Sequence, residues 1–249
     1  LVGVPPSAAA FALAWRYLPR DAAREGERQR FDHLGTWLLA AALAAYALAM
    51  TIGRGRFGLL NVALLLAALL GMGLFALAES RVRFPLVRPA MLRDPTLAAG
   101  LVANGLVSTV MMTTLVVGPF YLTRGLGLDT ASVGLALSAG PVVSALSGVP
   151  SGRIVDRFGA ARMTAAGLAA MALGALLLSM VAQRFGVAGY IAPIVATTAG
   201  YALFQAANNT AVMADVAPDR RGVVSAMLNL SRNLGLVTGA SLMGAVFAF

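Results

Sequence analysis

The sequence predicts an all-α, polytopic membrane protein, and three observations support this prediction. The 249 residues are 59% hydrophobic and only 12% charged, about half the charged fraction of a typical soluble domain. Several long runs contain no Asp, Glu, Lys or Arg, and about 20 apolar helical residues are enough to cross a bilayer. Because backbone polar groups in lipid must be bonded internally, and these runs are apolar on all faces, helices are expected rather than barrel strands.

About eight crossings are predicted in chain order. The first is short and has Arg16 near its end, and a polar linker at 19–33 follows it. After the third crossing, arginines alternate with apolar residues in the linker 79–94. This linker is expected either to lie along the cytoplasmic interface, with its arginines near anionic headgroups, or to act as a plain connection. The predicted spans are 2–18, 34–53, 57–78, 95–123, 130–152, 163–183, 185–214 and 222–249.

The basic residues predict the orientation of the chain. All nineteen are arginines and the net charge is +9, which in a soluble protein would favour nucleic acid or an acidic partner. Here the arginines concentrate in alternate loops, so the positive-inside rule predicts that those loops are cytoplasmic, in a plasma (inner) membrane, with no nucleic-acid partner. The Arg-rich loops contain Arg16, Arg20, Arg24, Arg28, Arg30, Arg81, Arg83, Arg88, Arg93, Arg153, Arg157, Arg162, Arg220 and Arg221, and the others contain Arg54, Arg56, Arg124 and Arg184.

Other function classes are disfavoured by the residues that the sequence lacks. It has no cysteine and a single histidine, His33, so neither a metal site nor another cofactor is expected. No Gly-Lys phosphate loop points to ATP-driven transport, and no convergent nucleophile and base point to an enzyme. The acidic residues lie in loops or at span ends, so if the protein couples to protons through a carboxylate within the membrane, that carboxylate is expected outside this chain.

Polar residues inside the predicted spans are the candidate substrate pathway. Arg232 lies about 15 Å into the last span, where an arginine costs about 2.5–3.5 kcal/mol, so it is expected to face the bundle interior or a wet cavity. The alternative is that it snorkels to the cytoplasmic side or caps a neighbouring helix. Amides three and four residues apart share helix faces and would line a cavity or join helices by hydrogen bonds. The candidates are Asn104, Gln205, Asn208, Asn209, Asn229, Arg232 and Asn233.

Small residues and prolines mark predicted contacts and kinks. Proline inside a span is tolerated where neighbours or water bind the freed carbonyls, and small residues four apart let helices approach closely. These features concentrate after residue 95, so the later spans are expected to form the working bundle, with the pair 34–78 outside it. The candidates are Gly118, Pro119, Gly140, Pro141, Gly148, Gly235 and Gly239.

A charged segment at 149–163, VPSGRIVDRFGAARM, carries a family resemblance. It resembles the loop signature of the major facilitator superfamily, G-x-L-x-D-R-x-G-x-R, with Ile154 in place of the usual Leu and Ala161 in place of a basic residue. The matching residues are Gly152, Asp156, Arg157, Gly159 and Arg162. The segments FDHLGTWLLA (31–40), ESRVRFPLVRPAMLRDP (79–95) and APDRRGVVSAMLNLSRNLGLVTGA (217–240) are similar to the fourteen-helix drug:proton antiporters of the EmrB/QacA type.

The resemblance implies a helical-bundle transporter of that superfamily, working by alternating access. It implies that 1–18 ends the last helix of an N-terminal bundle and that 34–78 are two inserted helices. Residues 95–249 would then be five helices of the C-terminal bundle, with the final helix and the N-terminal half outside this chain. Proton-coupled export of drugs or other amphipathic small molecules is the implied function, with the signature as a cytoplasmic gate. The alternatives are a carrier of a metabolite, siderophore or lipid, and a non-transporting membrane scaffold.

Overall fold

The computed structural model describes residues 4–17, 32–52, 57–82, 87 and 89–247. These residues fall into two compact units, Leu1–Phe31 and Asp32–Phe249. In the described part of the first unit, α1 spans Val4–Tyr17. The predicted linker 19–33 lies almost entirely outside the described residues, and within the interfacial segment 79–94 residues 83–86 and 88 lie outside them.

All regular elements in the described residues of the second unit are helices. Its elements are α2 (His33–Thr51), α3 (Leu59–Arg81), a short 3-10 helix (Pro89–Arg93), α4 (Pro95–Phe120), a π-helical turn (Tyr121–Gly125), α5 (Thr130–Phe158), α6 (Ala160–Met213) and α7 (Arg221–Phe247). Backbone geometry is non-helical at Gly186 inside α6, with φ at 56°. This conformation favours glycine. The two span-length segments of α6, Ala160–Val181 and Arg184–Met213, are called its arms, and Gly186 lies near the start of the second.

The prediction of eight crossings is wrong by two for the described residues. Six helical segments are long and apolar enough to cross a membrane: α2, α3, α4 with its π-helical turn, α5 and the two arms of α6. The described part of the first helix, α1, has 14 residues, fewer than the usual 17–25. The last helix, α7, has 27 residues but is not among the six, because its asparagines and arginines lower its hydropathy.

Helices α2 and α3 form an antiparallel hairpin with residues buried at every seventh position. Gly35, Ala42 and Ala49 are buried on α2, and Asn61, Ala68 and Phe75 are buried on α3. A seven-residue spacing keeps one stripe of a helix facing its partner. The hairpin also reaches the rest of the unit, because the Tyr46 hydroxyl is hydrogen-bonded to the Thr238 hydroxyl of α7.

Asn61 joins the two helices of this hairpin at their connection. Its side chain is 4% exposed. The amide nitrogen donates to the carbonyl oxygens of Ala49 at 2.7 Å and Ile52 at 2.6 Å, and the amide oxygen accepts from Gly58 N at 3.0 Å. It therefore bonds carbonyls at the end of α2 that have no partner within that helix.

Asn61→Leu is expected to destabilise the protein by about 2–4 kcal/mol, because three hydrogen bonds of about 1 kcal/mol each are lost and buried carbonyls are left unpaired. Thermal unfolding of the purified protein in detergent measures this. Ser80→Ala on the same helix is the control, since Ser80 is exposed and its hydroxyl binds only its own helix, at Leu77 O. Equal unfolding temperatures for the two variants would contradict the assigned role.

Three aspartates that the sequence places at span ends are helix N-caps. Asp32 Oδ1 accepts from Gly35 N at 2.9 Å, Asp94 Oδ1 from Thr96 N at 2.9 Å, and Asp129 Oδ2 from Ala131 N at 3.1 Å. Hydrogen bonds from Ser132, side chain first and then backbone, lower the pKa of Asp129 from its ordinary value of 3.8. The stabilisation by this cap is thus present above that value and is lost as the pH falls through the lowered pKa.

The remaining helices pack in two pairs, α4 with α7 and α5 with α6, and α4 also packs on α6. α4 and α7 run parallel, since Asn104 contacts Leu228 near the start of both helices and Phe120 contacts Phe247 at their ends. Their core follows α4 at successive levels. Leu97 lies in a cluster with Val212, Val224 and Leu228, Val107 lies with Met171 and Phe204, and Leu122, in the π-helical turn after α4, lies with Val133 and Tyr190. Phe204 is completely buried, so the second arm of α6 is central to the described bundle.

Candidate functional site

The contact between α4 and α7 positions the candidate site. Asn104 of α4 is 2% exposed, and its Nδ2 donates to the carbonyl oxygen of Leu228 on α7 at 2.8 Å. One turn further along, Ser231 Oγ donates to Leu101 O at 2.5 Å, and Thr109 Oγ1 donates to Gly235 O at 3.1 Å. These bonds set the register of the two helices. Asn104 therefore contacts α7 at Leu228, one helical turn before Arg232.

A polar cavity of about 210 Å³ lies among α4, the second arm of α6 and α7. Five of the seven predicted pathway residues line it, and they come from three different helices. None of the described residues that line it is acidic. The lining residues are Asn104, Gln205, Asn209, Met213, Ser225, Leu228, Asn229 and Arg232.

Two amide oxygens at this cavity have no hydrogen-bond partner within the described chain. Because Asn104 Nδ2 donates to Leu228 O, the orientation of that amide is determined and its buried Oδ1 is left as an unpaired acceptor. Gln205 Nε2 lies 3.1 Å from the Tyr201 hydroxyl, while its buried Oε1 is unpaired. A tyrosine hydroxyl both donates and accepts, so Gln205 can present either its oxygen or its nitrogen to the cavity.

Arg232 is exposed and lines the cavity as its cationic residue. Among the described residues, no hydrogen bond or ion pair involves its guanidinium group. An arginine without a protein partner, eleven residues into α7, retains its donors for a ligand or for water. Of the two interpretations of Arg232 from the sequence, this geometry favours the cavity.

Asn208 and Asn233, also predicted in the pathway, lie outside the cavity. Asn208 is 3% exposed, and its Nδ2 donates to Gly100 O on α4 at 3.2 Å. A Cβ at Gly100 would lie 3.0 Å from Asn208 Oδ1, so glycine is what permits this contact. Asn208 therefore joins two helices, which is the alternative role that the sequence left open for the amides. Asn233 is exposed and is not among the lining residues.

The glycines predicted to bring helices together differ in what surrounds them. A Cβ at Gly235 would overlap the carbonyl oxygen of Gly105, and one at Gly239 would lie 2.5 Å from Thr109 O. Gly118 is buried and similarly close to the Tyr190 hydroxyl, whereas a Cβ at Gly140 would make ordinary contacts with Thr198 and Ile194. A Cβ at Gly148 or at Gly152 would meet nothing within 4 Å in the described part of the chain.

The helices continue through both of the prolines at which kinks were predicted. α5 continues through Pro141 and on to Phe158, so most of the charged segment is helical rather than a loop. α4 continues through Pro119 and is followed by the π-helical turn, a rare feature that occurs mostly as a single turn within α-helices.

The charged signature itself forms the end of α5 and the start of α6. Gly159, with φ at 87°, ends one helix and precedes the next, which explains why a glycine stands there. Asp156, Arg157 and Arg162 are exposed. Arg157 lies over the Phe158 ring at 5.3 Å, and within the described chain no hydrogen bond or ion pair involves Asp156.

Sequence reasoning missed several residues that matter here. Met213 and Ser225 line the cavity, and both were discoverable because each continues a helix face at a spacing of four from Asn209 and Asn229. Gly167 and Gly200 bring the two arms of α6 together, since a Cβ at Gly167 would lie 2.8 Å from Gly200 O. Their separation along the chain hides this pair from any short motif.

A sequence model of the Major Facilitator Superfamily matches residues 2–240. The chain belongs to the Major Facilitator Superfamily. The match covers nearly the whole chain, so the helices that carry the cavity and those that carry the charged signature are both inside it. This agrees with the resemblance found in the sequence, and it makes the chain part of a family of polytopic membrane transporters.

Individual relatives within this superfamily differ in what their names describe. The chain is 28% identical to the uncharacterized transporter YebQ of Escherichia coli (strain K12) over 98% of this chain and 53% of that protein. It is 29% identical to the drug efflux pump JefA of Mycobacterium tuberculosis over 100% of this chain and 49% of that protein. It is 23% identical to the riboflavin transporter RibZ of Clostridioides difficile over 100% of this chain and 53% of that protein. The chain thus spans about half the length of these relatives.

Proposed function

We propose that this chain is part of a secondary active transporter that exports drugs or other amphipathic small molecules by alternating access, coupled to protons. The observation that carries the proposal is the polar cavity among α4, α6 and α7. A polar cavity with an unpaired arginine is costly among membrane helices and is typically found on substrate pathways. The name of the relative JefA, a drug efflux pump, supports drugs as the cargo.

In this proposal, residues 95–249 form the C-terminal bundle and residues 34–78 are the inserted pair. Residues 1–18 would end the N-terminal bundle, and 19–33 and 79–94 would be cytoplasmic linkers. The Arg-rich loops would face the cytoplasm of a plasma membrane. The exposed side chains of Asp156, Arg157 and Arg162 would serve as a cytoplasmic gate, since contacts of such exposed charges, worth about 0–1 kcal/mol, can break in every cycle.

A metabolite carrier is the second candidate function. It is favoured by the similarity to RibZ, a riboflavin transporter, and by the many hydrogen-bonding groups of the cavity relative to its small size. Riboflavin is therefore included among the compounds to be tested.

The test reconstitutes the protein at its full natural length into proteoliposomes and measures transport of methyl viologen, a fluoroquinolone and riboflavin. At least one compound is expected to accumulate when a pH gradient is imposed, and a protonophore is expected to abolish this accumulation. Accumulation that is the same with and without the pH gradient would overturn proton coupling. If the protein moves none of the three compounds, the transport proposal is overturned.

The neighbouring residues Asn208 and Asn209 connect this transport to the cavity. Asn209→Ala removes a cavity-lining amide and is expected to lower transport about fivefold, the effect of one hydrogen bond of about 1 kcal/mol, with an unchanged unfolding temperature. Asn208→Ala breaks the bond to Gly100 O and is expected to lower the unfolding temperature, with less effect on transport by the protein that remains folded. If Asn208→Ala instead lowers transport more than Asn209→Ala does, the cavity is not part of the transport pathway.

A further inference from the structure

We infer that the cavity recognises a neutral or anionic ligand that presents an N–H donor next to a carbonyl or carboxylate oxygen, such as the edge of an imide or amide, and that it discriminates against permanent cations. This inference rests on the proposed function, and it names the substrate class of the same site. Its basis is the set of hydrogen-bonding groups that the surrounding helices leave unpaired.

The donor of the ligand is specified by Asn104. Asn104 lines the cavity, its Oδ1 is buried and unpaired within the described chain, and its Nδ2 already donates to Leu228 O. A buried acceptor without a partner costs about 1–3 kcal/mol. A ligand N–H bonded to Oδ1 recovers that free energy, whereas a ligand without a donor leaves the cost in place.

The acceptor of the ligand is specified by Arg232. Its side chain lines the same cavity, one turn along α7 from the carbonyl that Asn104 binds. Guanidinium groups carry donors and no acceptor, and they bind carbonyl and carboxylate oxygens well. Because none of the described lining residues is acidic, a permanent cation would meet the charge of Arg232 without compensation.

The size of the cavity limits what enters it. At about 210 Å³ it is smaller than the roughly 300–1,000 Å³ of pockets that enclose drug-sized ligands. It therefore holds one polar edge of the ligand, and the rest of the ligand extends beyond it. Gln205 and Asn209 can adapt to further groups at this edge, since an amide side chain offers both donors and an acceptor.

The experiment uses riboflavin, whose imide N–H lies between two carbonyl groups, and N3-methylriboflavin, which lacks that donor. Binding to the purified full-length protein is followed by quenching of flavin fluorescence. Riboflavin is expected to bind at least tenfold more tightly than the methylated analogue, and methyl viologen, a permanent dication without N–H donors, is expected to compete at least tenfold more weakly than riboflavin. Because the analogues are compared on the unmutated protein, this result does not depend on the folding of any variant.

Asn104→Leu then assigns the discrimination to its residue. It is expected to reduce the preference for riboflavin over N3-methylriboflavin to less than twofold, with folding followed by thermal unfolding. Asn233→Leu is the matched control, since that amide is exposed and outside the cavity, and it should retain the tenfold preference. Equal affinities for the two flavins on the unmutated protein, or tighter binding of methyl viologen than of riboflavin, would overturn the inference. Gradient-driven transport of other compounds would still leave the proposed function standing.

Discussion

The double variant Gly235→Ala, Gly239→Ala is expected to destabilise the protein severely and to lower its folded yield. A Cβ at position 235 would overlap Gly105 O and lie 2.8 Å from Ser108 Cβ, and one at position 239 would lie 2.5 Å from Thr109 O and 2.9 Å from Met112 Cβ. Contacts with backbone cannot be relieved by a rotamer change, so α7 must move away from α4. Overpacking of this kind typically costs about 1–3 kcal/mol per site, and separating the helices also strains the bond from Thr109 to Gly235 O.

Size-exclusion yield and thermal unfolding in detergent measure this effect. The matched controls are Gly73→Ala and Gly134→Ala, because a Cβ at either position meets no atom of the described residues within 4 Å. Alanine is also the better helix former by up to about 1 kcal/mol, so these controls should unfold at the parent temperature or above it. If the double variant unfolds together with its controls, the close contact between α4 and α7 is refuted.

Arg232→Gln is expected to lower by at least tenfold the initial rate of transport of the carbonyl-bearing test compounds, the fluoroquinolone or riboflavin, that the reconstituted protein moves. Hydrogen bonds to charged groups are worth about 1.5–3 kcal/mol, and Arg232 supplies the cationic donor of the cavity. Arg232→Lys should keep part of the rate, because lysine retains the charge but not the planar, forked set of donors. Neither change should lower the unfolding temperature, since no described residue pairs with this arginine.

Arg184→Gln is the control for this experiment. Arg184 is exposed at the start of the second arm of α6 and is not among the residues that line the cavity. Its replacement should leave the rate unchanged while removing the same charge. Should the two variants lose the same fraction of the rate, the loss reflects the net charge of the protein, and Arg232 has no special place in the pathway.

The positions of the helices were largely predictable because apolar runs without charge can only be satisfied as helices in lipid. Asp94 and Asp129 were placed correctly at span ends, where their oxygens cap the helices that follow. The helix ends were less predictable. α5 runs on to Phe158 because charged residues are as compatible with a helix beyond the membrane as with a loop, and only the left-handed Gly159 stops it.

Polarity within the spans selected seven pathway candidates, of which five line one cavity, and spacing grouped those on α6 and those on α7, because residues three and four apart share a helix face. It could not separate Asn208 from Asn209, since both are compatible with a face that contains Gln205. Asn208 joins two helices instead of lining the cavity because Gly100 approaches it closely. Gly100 belongs to a helix more than a hundred residues earlier in the chain. Gly148 and Gly235 are likewise both part of a pair of glycines four residues apart in the sequence. In the described part of the chain, Gly235 packs against α4, whereas a Cβ at Gly148 would meet nothing within 4 Å.

The sequence by itself determined the family, the membrane setting and most of the helices, because these depend on local composition, period and motif. Only the tertiary structure decided which polar groups remain unpaired at the cavity. That outcome depends on which donors and acceptors are already hydrogen-bonded to the neighbouring helices. Leu228 O accepts from the Nδ2 of Asn104 and Gly100 O accepts from the Nδ2 of Asn208, and the oxygen of Asn104 stays unpaired because no described residue offers it a donor.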